Sequence, residues 1–176
     1  MDCLRPKSVW AFGYGSLIWN RESIEYVEEK TGYLLGWHRD WTFISEKRRH
    51  GAPTCNLQPG GRVKGVFLRL DPRTFTVSLK ALRKREGKQT ENIAENLYGF
   101  PGETHFWTMG RNLEKFYETS GLQGLKLYRF LADIAKKIPE KGPDGKTAEE
   151  YAFAVYEFDP EDAITRTYVE ELRKPS

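Results

Sequence analysis

The chain has 176 residues, of which 39% are hydrophobic, 30% charged and 14% aromatic, and its formal net charge is +3. This composition is typical of a single globular domain (residues 1–176) with a real hydrophobic core, and no apolar run approaches the length of a membrane span. The nearly balanced charge argues against a nucleic-acid partner. Cys3 and Cys55 are too few for a disulfide framework. Together with the lack of a signal-peptide core, this predicts a cytoplasmic protein.

The apolar stretch that begins at Val9 predicts a buried strand, which leads into the turn Gly13-Tyr14-Gly15-Ser16. Two glycines in three residues let the backbone turn sharply and approach a ligand closely. The amide N–H groups that follow can then point outward together and bind an anion. On local chemistry alone, a simple tight turn between strands is the alternative.

Closely spaced strand patterns follow this turn. Residues 33–44 are rich in aromatic and β-branched side chains and predict a second strand, bent at Gly36. The next predicted elements are a polar loop, a short strand, a turn and a further strand (residues 46–53, 54–58, 59–61 and 62–70). Because such strands pair most readily as an antiparallel meander or barrel, we expect an α+β fold, a small mixed β-barrel with flanking α-helices.

A helix is predicted after these strands, with Asp71 as its N-cap, Pro72 as its first residue and Gly87 as its stop signal. Three apolar residues at helical spacing mark one face: Phe75, Leu79 and Leu82. The same face, extended by one turn, reaches Glu86. A carboxylate is therefore predicted where the apolar face points.

Glu86 lies near the C-terminus of this predicted helix, where the helix dipole disfavours a negative charge, and partial burial adds a desolvation cost. Both effects raise the pKa of a carboxyl group, which suits it to proton transfer at neutral pH. The cations at residues 83–85 favour the charged form instead. A structural ion pair between Glu86 and one of them is the alternative interpretation.

The second half of the chain is mainly helical. A strand at residues 103–109 precedes a helix at about residues 122–138. A capping-box pattern at residues 147–150 starts another helix, although residues 151–158 also alternate like a strand. Residues 159–160 are the predicted cap of a last helix.

No metal or organic cofactor is predicted. The three histidines are far apart in sequence and match no zinc-binding spacing: His38, His50 and His105. Gly13 and Gly15 lack the third glycine of a dinucleotide-binding fingerprint. Cys55 lies in a predicted strand and is expected in the core.

The basic segment at residues 47–50 is expected to be a solvated loop. Such a loop can also meet an anionic substrate or RNA. We therefore keep a second hypothesis, a non-catalytic barrel that binds an anionic ligand or RNA through this loop.

Residues 12–19, Phe-Gly-Tyr-Gly-Ser-Leu-Ile-Trp, resemble the N-terminal signature of the ChaC-type γ-glutamylcyclotransferases, the glutathione-specific branch of that fold. Further segments resemble the family in order: residues 35–39, 65–67, 82–87, 131–134 and 147–151. The resemblance implies that Glu86 is the catalytic acid/base and that Tyr151 contacts the substrate. Residues 87–90 depart from the family, which has an aromatic residue there.

The resemblance also implies the reaction, in which the α-amine of a γ-glutamyl group attacks its own γ-carbonyl and expels an amine. Glutathione would give 5-oxoproline and Cys-Gly, and other γ-glutamyl amines or amino acids are the alternative substrates. The predicted binding residues for the substrate are Tyr14, Gly15, Ser16 and Leu17. The expected partner is thus a small-molecule γ-glutamyl substrate, with no nucleic acid and no membrane.

Overall fold

A computed structural model of the chain describes residues 9–86, 90–94, 104–108 and 121–176, and of residues 46, 47, 86, 90–94 and 104–108 it describes the backbone alone. The chain divides into two compact units. Unit 1 is drawn from Met1–Trp37 and Gly60–Met109, and unit 2 from His38–Pro59 and Gly110–Ser176. The assignment of residues 1–176 to a single domain stays a prediction.

The described residues form strands and helices in the proportions of a mixed α+β protein. The strands are β1 (Trp10–Gly13), β2 (Tyr26–Ser45), β3 (Ala52–Leu70), β4 (Thr90–Ala94) and β5 (Thr104–Thr108). The helices are α1 (Glu46–Arg49), α2 (Phe75–Glu86), α3 (Gly124–Lys136), α4 (Ala148–Phe158) and α5 (Ala163–Arg173). One sheet has the order β1-β3-β2, and β4 pairs with β5. The predicted α+β class is confirmed, and the closed barrel stays a prediction.

Two predictions about the long strands are wrong. The turn at residues 59–61 is instead part of the continuous strand β3, in which Gly60 and Gly61 have φ values of 103° and 73°. Glycine adopts such angles without steric cost, so the strand deforms locally without ending. The polar loop after β2 begins as the short helix α1, because the Ser45 hydroxyl accepts a hydrogen bond from the Arg48 N–H at 3.2 Å.

The core of unit 1 lies between the sheet and α2. β1 pairs antiparallel with β3 in the register that places Phe12 opposite Phe67, with ring centroids 4.6 Å apart. Buried apolar side chains form a second cluster: Val9, Ala11, Leu17, Ile24, Leu68, Leu70 and Leu82. Phe75 of α2 packs against this cluster, which includes Leu17 of the turn that follows β1. The cluster therefore holds α2 to that turn.

Helix α2 begins later than predicted. Asp71 is not its N-cap, because the Asp71 carboxylate accepts a hydrogen bond from the Arg73 N–H at 2.9 Å and pairs with the Arg73 guanidinium. Pro72 lies in this turn, and the helix starts at Phe75. The apolar face is confirmed at Leu82, which is buried.

Unit 2 is built around Trp41 of β2. Its indole N–H donates a hydrogen bond to Thr165 Oγ1 at 2.9 Å. Its ring lies 5.0 Å from the ring of Tyr168 and meets Tyr151 edge-on at 5.5 Å. Helices α3, α4 and α5 contact one another. No helix of the described residues is both long enough and apolar enough to cross a membrane.

A fully buried arginine also belongs to unit 2. The Arg39 guanidinium donates to Asp159 at 3.0 Å and to Asp162 at 3.2 Å. The prediction that Asp159 caps the last helix is therefore wrong. Asp162 takes that position, one residue before α5 begins at Ala163.

Three predicted elements in the second half are confirmed. The capping box is present, since the Thr147 side chain accepts from the Glu150 N–H at 3.2 Å and the Glu150 carboxylate accepts from the Thr147 N–H at 2.9 Å. It starts α4, which decides residues 151–158 in favour of helix. The predicted helix at 122–138 is α3 and the strand at 103–109 is β5.

Asp40 is expected to make the stability of unit 2 depend on pH. It is buried, and its carboxylate accepts from the Trp41 N–H at 2.6 Å and from the Tyr128 hydroxyl at 3.2 Å. Burial raises the pKa of the Asp40 carboxyl above its ordinary value. The folded state therefore binds a proton more readily than the unfolded state at this position.

We expect Asp40→Asn to alter the pH dependence of stability. As the pH falls through the raised pKa towards the ordinary value, the wild type gains stability from protonation of Asp40, and the variant does not. The difference in free energy of unfolding, wild type minus Asp40→Asn, should thus increase on acidification from pH 7 to pH 4 in urea titrations. A difference that is constant with pH would contradict the buried, charged carboxylate.

Candidate active site

The Gly-rich turn joins β1 to a single turn of 3₁₀ helix at Ser16–Ile18. Gly13 has no room for a side chain, since a Cβ atom there would lie 2.5 Å from Leu17 Cβ and 3.0 Å from Val66 Cγ2. Tyr14 and Leu17 are buried. The close approach of β1, β3 and the 3₁₀ turn therefore explains why glycine stands at position 13.

The amides of this turn suit an anion. The Ile18 N–H donates to Gly15 O at 2.9 Å and the Asn20 N–H to Ser16 O at 2.8 Å. Within the described residues, no hydrogen bond is donated by the N–H groups of Gly15, Ser16 and Leu17. These three successive donors are the feature that the sequence predicts for a carboxylate-binding turn.

Arg21 fixes the far end of the turn. Its guanidinium donates to Leu17 O at 3.0 Å and to Ile18 O at 3.2 Å. The same group pairs with Glu29, with one of its contacts at 2.7 Å. The carbonyl groups at the end of the 3₁₀ turn are thus satisfied by a side chain that is itself held in place.

Arg85 of α2 contacts the turn from the other side. Its Nη2 atom donates to Ser16 Oγ at 2.7 Å, and the residue is half-buried. Leu82, three residues earlier, is buried on the same side of the helix. The C-terminal end of α2 therefore lies at the Gly-rich turn.

The sequence did not single out Arg85. Residues 83–85 form a run of three cations beside Glu86, and their charges do not distinguish them. In the structure, Arg83 and Lys84 are exposed, whereas Arg85 is half-buried. The available signal was the spacing of three residues from Leu82, which places Arg85 on the buried face together with Glu86.

Glu86 is the last residue of α2 and follows Arg85 directly. Its side chain lies outside the part of the structure that is described. The predicted arrangement, with the carboxylate across a pocket from the backbone of residues 14–17, therefore stays a prediction. The structure brings together Tyr14, Gly15, Ser16 and Leu17 and places the end of α2 beside them.

Tyr151 lies in unit 2, on α4, and is buried. The Arg49 guanidinium stacks over its ring at 4.1 Å, and burial raises the pKa of the Tyr151 hydroxyl. Arg49 is itself buried and forms two hydrogen bonds with Asp144, at 2.8 and 2.6 Å. The prediction of a solvated basic loop is therefore wrong for Arg49, whose side chain belongs to the interior of unit 2.

Among the described side chains, Cys55 does not form a second reactive site. Cys55 is buried as predicted, and burial raises the pKa of its thiol to about 12, so it is not a nucleophile at neutral pH. Among the described residues, no group of three or more His, Cys, Asp or Glu side chains is placed to hold a metal ion.

Gly13→Ala tests the tightness of the turn. The added methyl group would collide with Leu17 Cβ, which cannot rotate away because it is fixed to the backbone. Overpacking of this kind costs about 1–3 kcal/mol. We expect a lower thermal midpoint and a distorted turn with impaired ligand binding. A matched Gly145→Ala variant, at a glycine with φ of 78° and open space around it, separates steric collision from backbone strain. Equal stability of Gly13→Ala and wild type would refute the steric argument.

Comparisons with known proteins identify the family and the fold of this chain. A family model described as ChaC-like protein matches residues 9–154. The glutathione-specific gamma-glutamylcyclotransferase of Escherichia coli (strain K12) is 43% identical over 82 residues, which are 44% of this chain and 35% of that protein. The match thus spans about a third of the length of that relative. A crystal structure of the yeast gamma-glutamyl cyclotransferase specific to glutathione has the same fold, with a TM-score of 0.71, 15% identity and 96% coverage of both chains. Because the family model covers most of the sequence, this chain belongs to the ChaC-like protein family.

Proposed function

We propose that this protein is a γ-glutamylcyclotransferase that converts glutathione to 5-oxoproline and Cys-Gly. Membership of the ChaC-like family supports the reaction class. The structural observation that carries the proposal is the 2.7 Å hydrogen bond from Arg85 to Ser16. It holds the end of the helix that bears Glu86 against the turn, in which three successive amide N–H groups donate no hydrogen bond to any residue that the structure describes.

The α-carboxylate of the γ-glutamyl group binds at this turn. The N–H groups of Gly15, Ser16 and Leu17 supply the positive ends of three dipoles, which suit a carboxylate. Tyr14, whose ring lies 6.4 Å from the ring of Phe12, belongs to the same proposed substrate-binding turn. The turn therefore binds and orients the substrate.

Glu86 moves the protons. Its carboxylate removes a proton from the α-ammonium group, and the freed amine attacks the γ-carbonyl carbon to close a five-membered ring. When the bond between that carbon and the cysteinyl nitrogen breaks, Glu86 returns the proton to the leaving nitrogen, and the ring nitrogen releases its second proton to solvent, which gives the neutral lactam. Because nucleophile and electrophile belong to one molecule, correct orientation supplies much of the acceleration.

We also propose that Tyr151 contacts the substrate, on the basis of the family resemblance. We further propose that residues 1–176 form one domain, a small mixed β-barrel with flanking helices. It acts in the cytoplasm on a small molecule and has neither nucleic acid nor a membrane as a partner. The family does not favour the alternative of an RNA-binding barrel.

The direct test incubates the purified protein with glutathione and measures 5-oxoproline and Cys-Gly by mass spectrometry. A parallel panel of γ-glutamyl amino acids and γ-glutamyl amines tests the alternative substrates. Lactam formation from glutathione alone supports a glutathione-specific enzyme. No lactam from any member of the panel would refute the proposed function.

A further inference from the structure

The hydrogen bond between Arg85 and Ser16 has a fixed direction. A guanidinium group donates and has no acceptor atom, so the Ser16 oxygen accepts and its own hydroxyl hydrogen is left to donate elsewhere. Hydrogen bonds from a charged donor are short and strong, and they polarise the group that accepts them. The 2.7 Å distance fits such a bond. Ser16 is thereby made a better donor.

We propose that Arg85 is a positioning residue for the substrate: through Ser16 it orients a fourth donor, the serine hydroxyl, towards the α-carboxylate held by the amides of residues 15–17. This inference rests on the proposed function and deepens it. The specificity of the turn for a carboxylate then depends on a side chain of α2.

The bond also couples the two halves of the proposed site. Arg85 precedes Glu86 directly on α2, while Ser16 follows Gly15 in the turn. Arg21 anchors the turn independently, through the carbonyl groups of Leu17 and Ile18. Loss of Arg85 should therefore misdirect the Ser16 hydroxyl without releasing the whole turn.

The test compares Arg85→Gln, Arg85→Lys, Ser16→Ala and the double variant Arg85→Gln/Ser16→Ala. Lys84→Gln, which removes an exposed cation from the same helical turn, is the control. We expect Arg85→Gln to raise KM for glutathione about tenfold or more, with kcat changed much less, because a binding contact is lost. Arg85→Lys should restore part of the loss. A merely structural role would lower the active fraction, and hence kcat, at an unchanged KM.

The double variant decides whether Arg85 acts through Ser16. If it does, the double variant should be no worse than Ser16→Ala alone, because the two changes remove one interaction. Full additivity of the two effects on kcat/KM would overturn the inference. So would an Arg85→Gln variant with the KM of wild type.

A substrate variant completes the test. In a γ-glutamyl peptide whose glutamyl α-carboxylate is replaced by a carboxamide, the charged partner of the turn is missing. We expect wild type and Arg85→Gln to process this compound with kcat/KM values within about threefold of each other. A persistent difference as large as that on glutathione would refute the link to the carboxylate. A wild type that is inactive on glutathione would refute the proposed function itself, whereas a wild type that is active on glutathione, with an Arg85→Gln variant that is equally active on it, would refute only the role of Arg85.

Discussion

Replacement of Glu86 by glutamine is expected to lower the rate of 5-oxoproline formation about a thousandfold, with the fold intact. General acid or base catalysis by one side chain contributes roughly 10²–10⁴-fold to a rate, and here the same carboxylate would serve in both roles. Glutamine keeps the size and polarity of the side chain but neither accepts nor returns a proton. The loss should fall mainly on kcat, since the variant leaves the proposed carboxylate-binding turn unchanged.

Glu22→Gln is the matched control for this experiment. Glu22 is an exposed carboxylate in unit 1, just after the Gly-rich turn, and its backbone N–H bonds to Asn20 Oδ1. This variant removes the same charge from nearly the same region, and should keep both activity and thermal midpoint. If Glu86→Gln retained wild-type kcat, Glu86 would not be the proton-transfer group. The structural ion pair between Glu86 and a neighbouring cation would then be favoured.

The two variants at the proposed site separate binding from chemistry. Arg85→Gln is expected to act on KM and Glu86→Gln on kcat, although the residues are adjacent in α2. Neighbours in a helix project about 100° apart, so the proposed roles, one at the turn and the other at the reacting atoms, are compatible with adjacent positions. Both proposed roles depend on the end of one helix, so the packing that holds α2 in place matters for both. Leu82 and the fully buried Ser78, whose hydroxyl accepts from the Glu25 N–H at 3.0 Å, fix that helix face.

Local signals were sufficient for much of the fold. The capping box at residues 147–150 is a reciprocal pair of hydrogen bonds within four residues, so its sequence pattern carries the whole interaction. The apolar periodicity that predicts α3 is also local. In the candidate site, the turn at residues 13–16 was predictable because two glycines in three residues permit a sharp turn of the backbone.

Other features depend on partners far away in the chain. Arg39 pairs with Asp159 and Asp162, more than a hundred residues later, and nothing near Arg39 in sequence reveals them. Arg49 stood in a run of basic residues, which normally predicts a solvated loop, yet Asp144 pairs with it in the interior. Asp71 and Pro72 wrongly predicted the start of α2, because the Asp71 carboxylate pairs with the Arg73 guanidinium and the helix begins at Phe75.

The candidate site likewise combines features that local sequence predicts with a contact between distant residues. Periodicity indicated Glu86 from the apolar face of α2, but the contact between Arg85 and Ser16 joins positions 69 residues apart. A run of three cations hides which one is buried, because all three have the same charge and differ only in direction around the helix. The sequence therefore predicted the turn and the helix that form the candidate site, and it missed the bond that joins them.

The largest expected effect on stability comes from Arg39. Its side chain is fully buried, and those of Asp159 and Asp162 are 9% and 16% exposed, so the three charges are nearly removed from water. Removing one partner of such a group leaves the others buried without compensation, which typically costs 3–5 kcal/mol. We therefore expect Arg39→Met to lower the free energy of unfolding by about 3–5 kcal/mol, measured by urea titration.

Arg166→Met provides the matched control, because Arg166 is an exposed arginine on α5 and its loss should change stability by less than about 0.5 kcal/mol. Replacing both carboxylates by asparagine in the Arg39→Met background should recover part of the loss, since no buried charge is then left unpaired. If Arg39→Met were as stable as Arg166→Met, the buried group would be energetically neutral. In that case the packing around Trp41, and not the ion pairs, would hold α5 to β2 in unit 2.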